Sequence, residues 1–76
     1  MDFLQIDGQF ISHINQDPVN RSKVEAISKV GRALGIATVA ECVESEAVLV
    51  ELRRIGVDFA QRFYLAKPLP VAQLPD

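Results

Sequence analysis

The chain has 76 residues, 49% of them hydrophobic and 24% charged, with a formal net charge of -2, a composition typical of folded globular proteins and unlike that of disordered tails. Its eight lysines and arginines are scattered without a basic stripe, which argues against binding to duplex nucleic acid, and no apolar run approaches the roughly eighteen residues of a membrane span. A chain of this size buries only about 60% of its unfolded surface, and Cys42 as the only cysteine allows no internal disulfide, so the core needs support from elsewhere and the lone thiol points to a reducing cytoplasm.

The start, Met1-Asp2-Phe3, lacks the charged and apolar regions of a signal peptide. A methionine directly before a strand suggests a cut boundary or a start codon inside a larger ancestral domain. Phe3-Leu4-Gln5-Ile6 reads as a short strand that stops at the turn pair Asp7-Gly8, which leaves Asp7 at its carboxyl end. Gln9 to Ile14 can form a helical turn, and Asp17-Pro18 then supplies a cap and a first helical residue. Val24, Ile27, Gly31 and Leu34 recur at spacings of three and four, one face of a helix that Gly35 should end.

Ile36 to Ala40 is a nearly unbroken apolar run, as expected of a parallel strand covered on both faces, and it ends in Glu41. Ser45 can cap a second helix with Val48, Leu49, Leu52 and Ile55 on its core face, Arg53 and Arg54 in its last turn and Gly56 beyond. Val57 to Gln61 reads as a weaker third strand. Pro68, Pro70 and Pro75 disfavour a helix or central strand, so residues 68–76 are expected to be an extended tail. The order strand, helix, strand, helix, strand with short connections implies an α/β fold of parallel strands joined by right-handed crossovers. Three strands cannot close a barrel, so self-association or missing partner segments are expected to cover the apolar edge and face.

The polar residues that interrupt these runs sit at strand carboxyl ends: Asp7, then Glu41 and Glu44, then Gln61. In barrel enzymes that rim is where active sites are built. A carboxylate ahead of a helix also serves as a cap or dipole partner, worth about 0.3–1 kcal/mol, which is the alternative for Asp7 and Glu44. Glu41 continues a buried run, where an unpaired charge costs several kcal/mol, and is therefore the residue expected to act. Gln61 alone could simply hydrogen-bond a neighbouring loop. His13 has no second histidine with which to build a metal site or nucleophile relay, and Cys42 reads as a small packed residue. Gly8, Gly31, Gly35 and Gly56 are isolated and form no phosphate loop.

From Phe3 to Pro70 these residues resemble the C-terminal part of an EAL domain. Phe3-Leu4-Gln5-Ile6-Asp7-Gly8-Gln9-Phe10-Ile11 is similar to the family's sixth-strand motif, Ala40-Glu41-Cys42-Val43-Glu44 to its seventh, and Gln61-Arg62-Phe63-Tyr64 through Lys67-Pro68-Leu69-Pro70 to its eighth. The resemblance implies the last three strands of a modified TIM-like (β/α) barrel, with the whole of 1–76 a partial EAL domain. It further implies a parent activity, cleavage of cyclic di-GMP to a linear dinucleotide with Mg²⁺ or Mn²⁺, commonly in dimers. By the same resemblance Glu41 lies near the second metal and the attacking water as a candidate base, Glu44 supports the site from the next loop, Gln61 reaches the metal-water or phosphate region, and Asp7 braces its strand end.

The departures are as informative. Gln5 stands where the family has lysine, and a neutral amide cannot offset phosphate charge. Arg62 replaces a glycine where close backbone approach or special dihedrals are expected to matter, and Cys42 replaces a glycine at a position expected to be tolerant. The Glu-Ala-Leu motif and the principal metal ligands belong to the first five strands, outside this sequence. The expectation is a C-terminal fragment of a cyclic di-GMP phosphodiesterase, inactive alone. The alternative is a non-catalytic module that self-associates or binds protein or nucleotide.

Overall fold

A computed structural model describes residues 2–62 and 68–73. In chain order they form β1 (Phe3–Ile6), a one-turn α1 (Gly8–Ile11), α2 (Pro18–Leu34), β2 (Ala37–Val43), α3 (Glu46–Ile55), β3 (Phe59–Arg62), a two-residue β4 (Leu69–Pro70) and a 3-10 turn (Val71–Gln73). The strands make one sheet in the order β1-β2-β3-β4. The first three are parallel, as the crossovers require, and β4 runs antiparallel to β3. Phe63, Tyr64 and Lys67 of the third motif, and Pro75 of the tail, lie outside the described residues.

Local side-chain chemistry starts and stops the helices where the sequence predicts. Asp17 Oδ1 accepts hydrogen bonds from the Val19 and Asn20 amides at 3.0 and 3.3 Å, and Ser45 Oγ accepts from the Val48 amide at 3.2 Å. These bonds satisfy first-turn donors that have no partner within the helix. Both long helices end at left-handed glycines, Gly35 (φ 71°) and Gly56 (φ 97°). At Gly56 the requirement is doubled. A Cβ there would stand 2.8 Å from the Arg32 guanidinium, whose Nη2 donates to the Ile55 carbonyl at 3.2 Å and so ties α2 to the end of α3.

The core lies on one side of the sheet. Ile6, Ala40 and Ala60 form a register row and pack with Val24, Leu49 and Leu52 beneath the two helices. The buried stripe of α2 is Val24, Ser28 and Gly31, with Ile27 half-buried, while Leu34 is 65% exposed. Leu34 falls outside the predicted face because the helix turns about 100° per residue, which puts position 34 at the margin of the 24/28/31 stripe. Arg21 Nε also bridges the helices, donating to Glu51 Oε2 at 2.9 Å. That bond holds the Glu51 carboxyl below its ordinary range and raises the Arg21 guanidinium.

β3 spans Phe59–Arg62 where Val57 to Gln61 was expected, and two further element boundaries differ from expectation. β2 runs through Val43, so Glu41 lies within the strand and not after it. The expected extended tail is docked in its described part: Leu69 and Pro70 pair with Ala60 and Phe59. The Val71 amide donates to the Asp58 carbonyl at 2.9 Å, and Arg53 Nη2 reaches the Val71 carbonyl at 3.4 Å. Proline is tolerated there because an edge strand does not need its missing N–H. At the opposite end of the strands, Thr38, buried, donates its amide and hydroxyl to Asp58 Oδ2 at 2.9 and 3.2 Å, and the Asp58 amide donates back to Thr38 Oγ1 at 3.2 Å.

Candidate functional site

The row Ile6, Ala40, Ala60 points its side chains into the helix-covered core. One residue further along each strand come Asp7, Glu41 and Gln61. Because β2 becomes irregular after Ala40, the alternation of strand side chains places only Gln61, on the opposite face of the sheet, which also bears Gln5 and Val39. There Phe3, Gln5, Val39, Phe59, Gln61 and Pro68 line a groove of about 250 Å³. Phe3 and Phe59 meet edge to face, with ring centroids 5.7 Å apart. The two aromatics were not singled out in the sequence, although their parity with Gln5 and Gln61 (3 with 5, 59 with 61) already assigns them to that face.

At Glu41 the strand departs from regularity. Ala40 pairs with Ala60, but the next pairing joins Val43 to Arg62, so β2 carries one residue more than β3. The additional residue is accommodated by Cys42 in the left-handed region, φ 57°. A bulge of this kind turns the flanking side chains, and here it sits directly after Glu41. Glu41 is half-buried, not enclosed as the apolar run suggested. The environment of Cys42 corrects two expectations: the residue is exposed, and its backbone conformation is one that glycine adopts without cost, so the position is not a tolerant one. α1 begins in contact with this bulge. A Cβ on Gly8 would stand 2.9 Å from the Cys42 Cβ, a spacing only glycine permits.

The other residues divide between roles. Asp7 caps α1, its Oδ1 accepting from the Gln9 amide at 2.8 Å. Glu44 lies just past β2 and lines a different cavity, about 330 Å³, together with His13, Cys42 and Ser45. It shares no residue with the groove of Gln5 and Gln61. Glu44 is not the cap of α3 either, since Ser45 fills that role and Glu46 is the first-turn acid. Arg62 needs no special backbone: among the described residues the only non-glycine positive φ values are at His13 and Cys42. Its Nη2 donates to Glu46 Oε1 at 3.4 Å, joining β3 to the first turn of α3.

The structure therefore gathers Gln5 and Gln61 in one groove with Glu41 on the strand between them, and leaves Asp7 and Glu44 outside it. Among the described residues no group of three or more His, Cys, Asp or Glu side chains is placed to hold a metal ion. No helix among them is long and apolar enough to cross a membrane.

A family model described as the EAL domain matches residues 1–68. The chain is 35% identical over 72 residues to the cyclic di-GMP phosphodiesterase PdeB of Shewanella oneidensis, a match covering 95% of this chain and 8% of that protein. It is 41% identical over 71 residues to the bifunctional diguanylate cyclase/cyclic di-GMP phosphodiesterase MucR of Pseudomonas aeruginosa, covering 93% of this chain and 10% of that one. A standalone EAL protein from Vibrio cholerae, solved in its c-di-GMP-bound form, superposes with a TM-score of 0.79 at 34% identity, over 90% of this chain and 29% of the other. The chain thus spans a small part of each relative's length.

Proposed function

The chain belongs to the EAL domain family, and from that premise we propose that it is the C-terminal portion of a cyclic di-GMP phosphodiesterase of bacterial second-messenger signalling, acting in the cytoplasm. The observation that best supports this reading is the placement of Gln5 and Gln61 in one groove, with Glu41 one step beyond the Ala40–Ala60 pair on the strand between them. In this reading Glu41 takes a proton from the attacking water, the work of a general base. Gln61 hydrogen-bonds that water or a phosphate oxygen, Asp7 holds the end of β1 through its cap, and Glu44 supports the loop into α3.

The residues present do not make a metal site for the Mg²⁺ or Mn²⁺ that the resemblance implies. Glu41 is a single carboxylate, and no group of three or more His, Cys, Asp or Glu side chains gathers to hold a metal among the described residues. Gln5 adds a second shortfall, because its neutral amide hydrogen-bonds water but supplies no positive charge to a phosphate. No hydrolytic step is therefore assigned to this chain alone. Incubated with cyclic di-GMP and Mn²⁺, the isolated chain should release no linear dinucleotide above a Glu41→Ala control; turnover above that control overturns the reading.

Gln5 also favours a second reading, a non-catalytic EAL module that self-associates or binds protein or nucleotide. Calorimetric titration with cyclic di-GMP separates its branches. Saturable binding weakened by Glu41→Ala supports nucleotide sensing, and absence of binding supports assembly.

A further inference from the structure

We propose that the contact between Gly8 and the bulge at Cys42 sets the direction in which Glu41 leaves the sheet, which makes Gly8 and Cys42 positioning residues for that carboxylate. The proposal deepens the functional reading above and rests on it, because it gives the base of that reading its support.

A Cα–Cβ bond points where the local backbone sends it, and in a regular strand alternation alone decides the face. Glu41 lies where that rule lapses. Ala40 before it is anchored, being buried and paired with Ile6 and Ala60. Val43 after it is anchored too, buried and paired with Arg62. Between these anchors β2 has Glu41 and Cys42 where β3 has Gln61 alone. Two residues occupy the span of one, so the ladder is interrupted and the side chains at the bulge are re-aimed. Cys42 takes up the excess length in its left-handed backbone, φ 57°.

The interrupted ladder leaves this turn to be held from outside the strand pair, and α1 supplies the abutment. A Cβ on Gly8 would lie 2.9 Å from the Cys42 Cβ, 3.3 Å from its Sγ and 3.6 Å from the Glu41 carbonyl oxygen, so the bare backbone at Gly8 rests against both bulged residues. Gly8 has little room to retreat. Asp7 accepts the Gln9 amide at its carboxylate, at 2.8 Å, and the Phe10 amide at its carbonyl, at 3.0 Å. The Gly8 carbonyl accepts from the Ser12 amide at 2.9 Å, and Ile6 and Ile11 on either side are buried. The cap at Asp7 thus acts on Glu41 through Gly8 and Cys42, without entering the groove.

The direction of a Cα–Cβ bond is read from its residual dipolar coupling in a weakly aligned, isotope-labelled sample of the 76-residue chain. Gly8→Ala should change the Glu41 coupling while those of Ala40 and Ala60 keep their values. General destabilisation lowers the urea midpoint without turning this one bond. Adding Cys42→Gly removes the atom that the new methyl meets and should restore the original coupling. Cys42→Val disturbs the bulge from the strand side, since a β-branched residue fits φ 57° poorly; it should turn the same bond, and it carries the test if Gly8→Ala does not fold. For turnover, the chain with Gln5→Lys is grafted in place of the matching segment of the Pseudomonas aeruginosa MucR phosphodiesterase. There Gly8→Ala should lower kcat for linear dinucleotide release at least about tenfold with KM unchanged, and Cys42→Gly should recover most of the loss. A Glu41 coupling unmoved in the folded variants, or a kcat unmoved where the coupling has turned, overturns the proposal. A Gln5→Lys graft that is silent before any change at position 8 overturns the functional reading instead, and the coupling still tests the placement of Glu41, so the two failures are told apart.

Discussion

At the residue scale, the contact between Gly8 and the bulge at Cys42 is the most constrained point near the candidate site. A left-handed backbone costs a residue with a Cβ about 1–2 kcal/mol, and glycine gives back about 0.5–1 kcal/mol of that in chain entropy. Cys42→Gly should therefore stabilise the chain by up to about 1.5 kcal/mol in urea denaturation. Gly8→Ala should destabilise it by about 1–3 kcal/mol, the usual cost of overpacking, because its new methyl meets the Cys42 Cβ at 2.9 Å. The two effects should not add: in the Cys42→Gly background Gly8→Ala should cost less, and an additive double-mutant cycle contradicts the contact. Glu41 was legible in the sequence because a carboxylate ending an apolar run is conspicuous. The bulge beside it was not, because a positive φ at a cysteine leaves no mark in composition or periodicity. Nor was the commitment of Asp7 to a cap distinguishable from a site role, since an acid before a helix reads the same either way.

At the element scale, α2 and α3 were legible almost to the residue, because Asp17, Ser45, Gly35 and Gly56 act through bonds and backbone angles that are local in sequence. The antiparallel β4 was hidden, because its reason to exist is the far-off edge of β3 and the buried side chain of Val71. Val71→Ala should therefore cost about 2 kcal/mol, a loss not expected of a free tail and measurable as a lower urea midpoint. The pin between helices predicts a pH dependence. Arg21 holds Glu51 below its ordinary range, so the folded state binds its proton less readily than the unfolded chain does. The stabilisation is then complete above about pH 4.3, the unfolded value, and is lost as pH falls through the lower folded value. Glu51→Gln should flatten this acid limb of the stability curve, measured by urea midpoints between pH 7 and pH 3, and an unchanged limb contradicts the pin.

At the scale of the whole molecule, one-sided burial dominates. Helices cover one face of the sheet, and the other bears the groove with Gln5 and Gln61. The fold class followed from counting strands and crossovers, since strands alternating with helices over short connections run parallel. The separation of Glu44 from that face could not be counted in this way, because it depends on the path of the loop between β2 and α3. The proposed function makes this chain the C-terminal wall of a cyclic di-GMP site, silent for want of its other ligands and of a cation at position 5. Its most direct test is to graft the chain in place of the matching segment of the Pseudomonas aeruginosa MucR phosphodiesterase and measure linear dinucleotide release. The account predicts a folded but nearly silent chimera that gains at least about a hundredfold with Gln5→Lys and loses that gain with Glu41→Ala. Full activity with Gln5 in place, or a rescued chimera indifferent to Glu41→Ala, contradicts it.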